Sequence, residues 1–278
     1  MISPRGIVTR AMNEPLLHDK TTIIYGAGGG IGSGVALEFA RQGARLFLAG
    51  RTREPLERIA DQVAALRAGA DAEVAVVDAL DEEAIERHAD GVVAAAGSID
   101  VSINLISRGD VQGTPLVDMS ATDLLAPVLT GVRANFLTAR AAARRMARQG
   151  SGVILTVTSG SSRGAQPLMG GTGPADAAVE SMLRYLAAET GPQGVRVLGL
   201  WTAGVPETFD NEHDTNPARR AIGITGEQIA AMIGPRTMLG RAPRLRQVAE
   251  SMAFLASDRG AAITGTILNV TCGLVPGP

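Results

Sequence analysis

Lysine is almost absent from this chain of 278 residues. Lys20 is the only one, and Tyr25 and Tyr185 are the only tyrosines, so any chemistry built on a tyrosine–lysine pair must draw on these three. Cysteine occurs once, as Cys272, which excludes an internal disulfide and a thiolate metal cluster and suits a reducing cytoplasm. Cys272 reads as a small buried hydrophobe rather than a nucleophile. Histidine occurs three times, at His18, His88 and His213, in unrelated segments that make no ligand set, so no metal is expected. A formal net charge of -2 gives no basic field for nucleic acid. No apolar run reaches the roughly 18 residues of a membrane span, and no apolar core of a secretory signal follows Met1. These absences point to a cytoplasmic protein without nucleic-acid or membrane partners.

What is present is glycine, 34 residues of it, and a hydrophobic fraction of 45% that is ample for a core. The organising stretch runs from Thr21 to Gly32: a short apolar strand, then Gly26, Ala27, Gly28, Gly29, Gly30, Ile31 and Gly32, then a helix from Ser33 to Gln42. Glycines at 26, 30 and 32 let the backbone turn tightly and approach a pyrophosphate, whose charge meets the free N–H groups of the helix start. Strands then alternate with helices. Strands are expected at 44–49, 72–77, 100–106, 152–158, 194–200 and 265–270, with helices up to about Arg67, from Asp81, and over 121–148, 174–190, 227–233 and 244–257. That spacing predicts a single α/β domain, a Rossmann-type doubly wound sheet of seven parallel strands with helices on both faces. The domain is expected over 17–278, after an N-terminal arm at 1–16, with a substrate lid at about 201–241. Arg51, with Arg53 close by, follows the second strand where an acidic residue would accept the adenine ribose hydroxyl. A cation there suits a 2′-phosphate and favours NADP(H). Asp78, ending the third strand, is a candidate for the adenine edge or an ordinary turn residue.

Tyr25-Gly26-x-x-x-Gly30-x-Gly32, Asn104 in the fourth strand, Gly194-Val195-Arg196-Val197, and the run from Gly240-Arg241 to Ile263-Thr264-Gly265 resemble the classical short-chain dehydrogenase/reductase family from about Leu17 to Gly273. The resemblance implies a nicotinamide cofactor held by the glycine turn, with Asn104 at its site. It also implies a catalytic Ser, a Tyr thirteen residues on, a Lys four further on, and an Asn in the preceding long helix. Ser159 matches the first; Thr172, Asp176 and Gly131 stand at the other three positions. A threonine hydroxyl is a far poorer acid than a phenol beside a cation, so the proton must come from elsewhere or not be needed. Asp176 reads either as a solvated residue of a first helical turn or as a charge facing the cavity, for a cationic substrate such as an iminium or as a base. His213 is a further acid/base candidate, flanked by Glu212 and Asp214. Ser161, Ser162 and Arg163 line the expected pocket, Arg133 and Asn135 lie near the vacant Asn position, Glu207 and Asp210 border the lid, and Trp201 is placed against the nicotinamide side.

Two functions stay open at this point. One is an atypical oxidoreductase passing hydride from NADP(H) to a small imine, activated C=C or carbonyl substrate; the other is a non-redox lyase, isomerase or cyclase, or a regulator on the same fold. The resemblance also implies a homotetramer or homodimer through the helices at 121–148 and 174–190, whose alanines (Ala139, Ala141, Ala142, Ala143; Ala177, Ala178, Ala187, Ala188) would allow close approach.

Overall fold

The computed structural model describes residues 15–66, 69–164, 166–209 and 223–276. Strand β1 (Thr21–Tyr25) is buried along its whole length, which is why its sequence is a β-branched run rather than an alternating one. It lies inside the sheet, with a parallel neighbour on each side. Around it lie β2 (Arg45–Gly50), β3 (Ala72–Val76), β4 (Val101–Asn104), β5 (Gly152–Thr158), β6 (Val195–Thr202) and β7 (Ile267–Val270). All pairings are parallel, in the order β3-β2-β1-β4-β5-β6-β7, so the described residues form one seven-stranded doubly wound sheet. The strand order reverses between β1 and β4. In such sheets ligands bind outside the carboxyl ends of the strands at this switch point.

The helices are α1 (Gly30–Arg41), α2 (Arg53–Leu66), α3 (Glu82–Ala96), α4 (Ala121–Gln149), α5 (Thr172–Thr190), α6 (Gly226–Ile233) and α7 (Leu245–Ala256). On one face α1, α2 and α7 pack a core around Val35, Phe39, Leu46, Leu48 and Val248. On the other, α3, α4 and α5 pack around Ile23, Tyr25, Ile85, Met146 and Leu183. Each such fully buried aliphatic or aromatic side chain contributes about 1.5–3 kcal/mol.

Several boundaries differ from the sequence reading. α1 starts at Gly30 rather than Ser33, because glycines at a helix N-terminus carry no periodicity to mark them. α5 starts at Thr172, two residues ahead of Pro174, since proline is tolerated in a first turn where its missing N–H costs nothing. β6 runs to Thr202, which takes Trp201 and Thr202 out of the expected lid. Leu17 is fully buried, and most of the expected N-terminal arm, 1–14, lies outside the described residues. Ala139, Ala141, Ala142, Ala143 and Ala187 are buried within the chain, where they let α4 and α5 approach each other and the sheet. These five are therefore not available to a second copy, whereas Ala177 and Ala188 are exposed and Ala178 is half-buried. Cys272 is half-buried, in a left-handed conformation, with its sulfur 3.6 Å from an Arg241 guanidinium nitrogen, which corrects its expected place in the core.

No helix of the described residues is long and apolar enough to cross a membrane. Among them, no group of three or more His, Cys, Asp or Glu side chains is placed to hold a metal ion.

Candidate functional site

The glycine turn leaves β1 at Gly26, whose φ of +82° is costly for any residue with a Cβ. A Cβ there would also fall 2.7 Å from the Leu105 backbone, and one at Gly32 would fall 2.2 Å from the Gly26 carbonyl oxygen. Both glycines therefore serve a close fit of turn, helix and β4 loop. Gly29 caps α1 without a side-chain hydrogen bond. The Ser33 N–H bonds back to Gly29, so the N–H groups of Gly30, Ile31 and Gly32 are the unpaired donors that a helix start leaves open. That donor set, with the helix dipole behind it, fits a pyrophosphate. Gly28 abuts Pro55, and Gly30 abuts Thr208 in the short 3-10 turn Pro206–Thr208 that follows β6.

Arg51 lies just past β2, exposed, and has no hydrogen-bond or ion-pair partner among the described residues, whereas Arg53 is paired with Glu57. Asp78 is exposed at the end of β3, and its carboxylate accepts from the Leu80 N–H, the ordinary turn role. Asn104 is buried: its amide donates to Thr138 and its oxygen accepts from the Ile106 N–H. It thus holds the β4 loop that packs on Gly26.

Ser159, Thr172 and Asp176 do converge, at the carboxyl end of β5 and the first turns of α5. Asp176 is fully buried, which excludes the solvated reading. Its Oδ2 accepts from the Ser159 hydroxyl at 2.6 Å and from the Ser159 N–H at 3.0 Å, while Oδ1 accepts from Arg108 Nη1 at 2.5 Å. Arg108 also faces Asp110, 3.3 Å away, and Asp110 Oδ1 is buried without a hydrogen bond. Burial alone would push the Arg108 guanidinium down; Asp176 and Asp110 more than offset this and hold it above its ordinary value. Arg108 reaches Asp176 past Gly131, where a Cβ would lie 2.7 Å from Arg108 Cδ. The empty side-chain position at 131 is what admits the guanidinium.

The Ser159 hydroxyl also lies 2.7 Å from that of Ser161. Thr172 is buried and accepts from Gln112. Glu180, one turn beyond Asp176, is a buried carboxylate that accepts from Thr158, Ser162 and the Trp201 indole N–H, tying the loop after β5 to α5 and β6. Trp201 is buried in this arrangement, packed beneath Gly160. Asn135 is buried against Thr156, while Arg133 and Arg163 are exposed. Glu207 is exposed; Asp210 and His213, with Glu212 and Asp214, lie outside the described residues. Arg108, Asp110 and Glu180 were missed by the sequence reading. Arg108 has one signal in hindsight: it follows closely on the fourth-strand Asn104, and a glycine at 131 with an acid at 176 leaves a hole and a charge for a cation to meet.

Known proteins of this architecture share its length and its pattern. Residues 26–275 match the family model described as enoyl-(acyl carrier protein) reductase. The chain is 32% identical over 264 residues to an L-rhamnose 1-dehydrogenase (NAD(P)(+)) of Azotobacter vinelandii, covering 93% of this chain and 98% of that protein. It is 30% identical over 260 residues to a probable galactose dehydrogenase of Rhizobium meliloti, covering 94% and 96%. Among solved structures, a short-chain type dehydrogenase/reductase from Mycobacterium ulcerans superposes with a TM-score of 0.82 at 25% identity, covering 93% of this chain and 90% of that one. A 7α-hydroxysteroid dehydrogenase complexed with NADH and 7-oxo-glycochenodeoxycholic acid superposes with a TM-score of 0.81 at 26% identity, covering 96% and 98%. On sequence and fold together, the chain belongs to the short-chain dehydrogenase/reductase family of oxidoreductases.

Proposed function

We propose that this chain is an NADP(H)-dependent reductase that passes hydride to a small imine, activated C=C or carbonyl substrate, in an atypical site that works without a tyrosine–lysine proton donor. The observation that carries this reading is the closed ion network at the end of β5. Where the family resemblance puts tyrosine, lysine and asparagine, the chain has Thr172, Asp176 and Gly131, and Asp176 is engaged by Ser159 and Arg108. That network contains no phenol to act as the proton donor. Arg108 is held in its charged form, and a serine hydroxyl is a very weak acid. A substrate that arrives already protonated, or that takes its proton from water after hydride addition, needs no such acid.

The cofactor half of the reading rests on the open N–H groups of Gly30, Ile31 and Gly32 and on Arg51, exposed and without a partner among the described residues, a guanidinium suited to bidentate contact with a 2′-phosphate. Relatives named for NAD(P)(+) and NADH support a nicotinamide cofactor in general. Bound in its reduced form, such a cofactor supplies the hydride; the chain orients it, and Ser159, Ser161 and the β4 loop position the acceptor. Pairing of chains into a homodimer or homotetramer belongs to the same proposal, through exposed apolar residues of α4 rather than through its buried alanines.

The test is NADPH consumption, followed by absorbance, against panels of cyclic imines, enones and ketones. Turnover in at least one panel is the expected result. No turnover in any panel, with NADPH bound, would remove the reductase reading.

A further inference from the structure

We infer that the Ser161–Ser159–Asp176–Arg108 network selects substrates that donate a hydrogen bond from a protonated nitrogen, an iminium, over substrates that must receive one, such as a ketone. The inference rests on the reductase reading above and narrows its substrate class.

A serine hydroxyl has one proton and two lone pairs. The Ser159 proton has two acceptors within reach, the Asp176 carboxylate at 2.6 Å and the Ser161 oxygen at 2.7 Å. The carboxylate takes it, because a charge-assisted bond is roughly twice as strong as a neutral one and Asp176, fully buried, has no water to turn to. The Ser161 hydroxyl must then donate to Ser159, or two lone pairs would face each other at hydrogen-bond distance. Both protons therefore run inward toward Asp176; the two lone pairs of Ser159 are taken by the Ser161 hydroxyl and by the Ser161 N–H at 3.3 Å, so the lone pairs that face outward are those of Ser161. A ketone oxygen brought to this pair meets no donor; an iminium N–H meets acceptors. The polarity is fixed from behind. Arg108 Nη1, seated in the space left by Gly131, occupies Asp176 Oδ1, and the Ser159 N–H shares Oδ2 with the hydroxyl, so the carboxylate cannot rotate away. The buried and half-buried charge agrees in sign: Asp110, Asp176 and Glu180 outnumber Arg108 there, the nearby Arg163 being exposed, and Asp110 Oδ1 still lacks a hydrogen bond. In this scheme Ser161 touches the substrate, while Ser159, Asp176 and Arg108 are positioning residues.

Hydride addition to an iminium carbon balances without an enzyme acid. One C–H bond forms, the C=N π pair becomes the nitrogen lone pair, the product is an amine, and the reduced nicotinamide is oxidised. Adding hydride to a ketone leaves an alkoxide that this network cannot protonate.

The experiment compares 2-methyl-1-pyrroline with 2-methylcyclopentanone as substrates with NADPH, and 2-methylpyrrolidine, a protonated amine, with the same ketone as ligands by calorimetry on protein saturated with NADP+. The wild type should prefer the imine in kcat/KM by on the order of a hundredfold or more. Asp176→Asn turns one carboxylate oxygen into a donor and frees the Ser159 proton, so the imine-to-ketone ratio should fall at least about tenfold. Arg108→Gln/Asp176→Asn, which removes both members of the buried pair together and leaves only the half-buried Asp110 without its cation, should show the same fall. Ser159→Ala leaves the ion pair intact and should weaken amine binding about tenfold or more. Amine binding that depends on Ser159 and Asp176 without any NADPH consumption supports the inference and removes the reductase reading. A ketone reduced as well as the imine overturns the inference and leaves the reductase reading standing. The inference is equally overturned by an absence of amine binding, or by an unchanged preference in variants whose melting and NADP+ affinity are intact.

Discussion

At the scale of single residues, the site is organised by one missing side chain. Gly131 lies inside α4, where glycine costs roughly 1 kcal/mol of helix propensity relative to alanine. The position nevertheless has to be small, because Arg108 Cδ occupies the space a Cβ would need and the guanidinium beyond it is held by two carboxylates. Overpacking a well-filled site costs about 1–3 kcal/mol. Gly131→Ala is therefore expected to gain helix propensity yet come out neutral to about 2 kcal/mol less stable in urea denaturation, with Arg108 displaced. A clear gain in stability would show that Arg108 is not held as described. Arg51 is the second single-residue determinant. A charge-assisted contact to a 2′-phosphate contributes about 1.5–3 kcal/mol, so Arg51→Ala should lose about tenfold or more in NADPH affinity while NADH affinity stays the same. Calorimetric titration with both nucleotides checks this; equal losses for the two would place Arg51 away from the phosphate. These residues also mark the limit of what the sequence discloses. Ser159, Thr172 and Asp176 are found by counting along a known spacing. Arg108 comes to Asp176 from 68 positions away, out of an irregular loop whose side-chain direction no periodicity records.

At the scale of elements, α3 is joined to β1 by a buried polar contact. Tyr25 stands where the family's glycine motif usually begins with threonine, and its hydroxyl lies 3.4 Å from His88 Nδ1, with the rings edge to face. The phenol is buried and its ionisation pushed far up, so it stays neutral and shares a single hydrogen bond with Nδ1. His88 Nε2, whichever tautomer the ring adopts, is buried without a hydrogen-bond partner among the described residues. Burial lowers the His88 pKa to about 4, from an ordinary 6.5, with Glu73 offsetting a little. The sign follows directly. Between those values the unfolded chain binds a proton that the folded chain refuses, so stability rises with pH across this window and is lost as pH falls from about 6.5 toward 4. The loss amounts to at most about 3 kcal/mol. Replacing His88 with phenylalanine should flatten the pH dependence of the urea midpoint between pH 6.5 and 4, and an equally steep profile in the variant would assign that dependence to other groups. The strands and helices themselves were legible because their signals are local: β-branched runs for β1 and β5, an Asp81 cap bonded to the Ala84 N–H at the start of α3, and a left-handed Gly150 at the end of α4. Their ends were less so. The start of α1 falls among glycines, and α5 begins two residues before the proline that looked like its first.

At the scale of the whole molecule, strand order and layering follow from the alternation of strands and helices, since parallel neighbours need crossovers and those crossovers pack on both faces. Surfaces between copies of the chain have no comparable rule. Alanine-rich stretches looked like contact faces, yet small residues are equally what α4 and α5 need to lie close together inside one chain, and that is where Ala139, Ala141, Ala142, Ala143 and Ala187 are, while Ala177 and Ala188 stay exposed. The exposed part of α4 carries larger side chains. Leu125, Leu129 and Phe136 are 49%, 67% and 45% accessible, and with Val132 they fall at i, i+4, i+7 and i+11, a single apolar stripe along one helix. Scattered apolar residues on a surface need no explanation, but a stripe of this kind on a helix otherwise packed against its own domain is what a second copy would cover. A glutamate in the centre of such a contact must be buried without a partner or expelled, and either outcome disfavours association. Leu129→Glu should thus lower the mass measured by light scattering toward the 28.6 kDa of one chain, while circular dichroism and NADPH binding stay as in the wild type. A wild-type mass already equal to one chain would refute pairing altogether, and an unchanged multiple of it in Leu129→Glu would move the contact to another face.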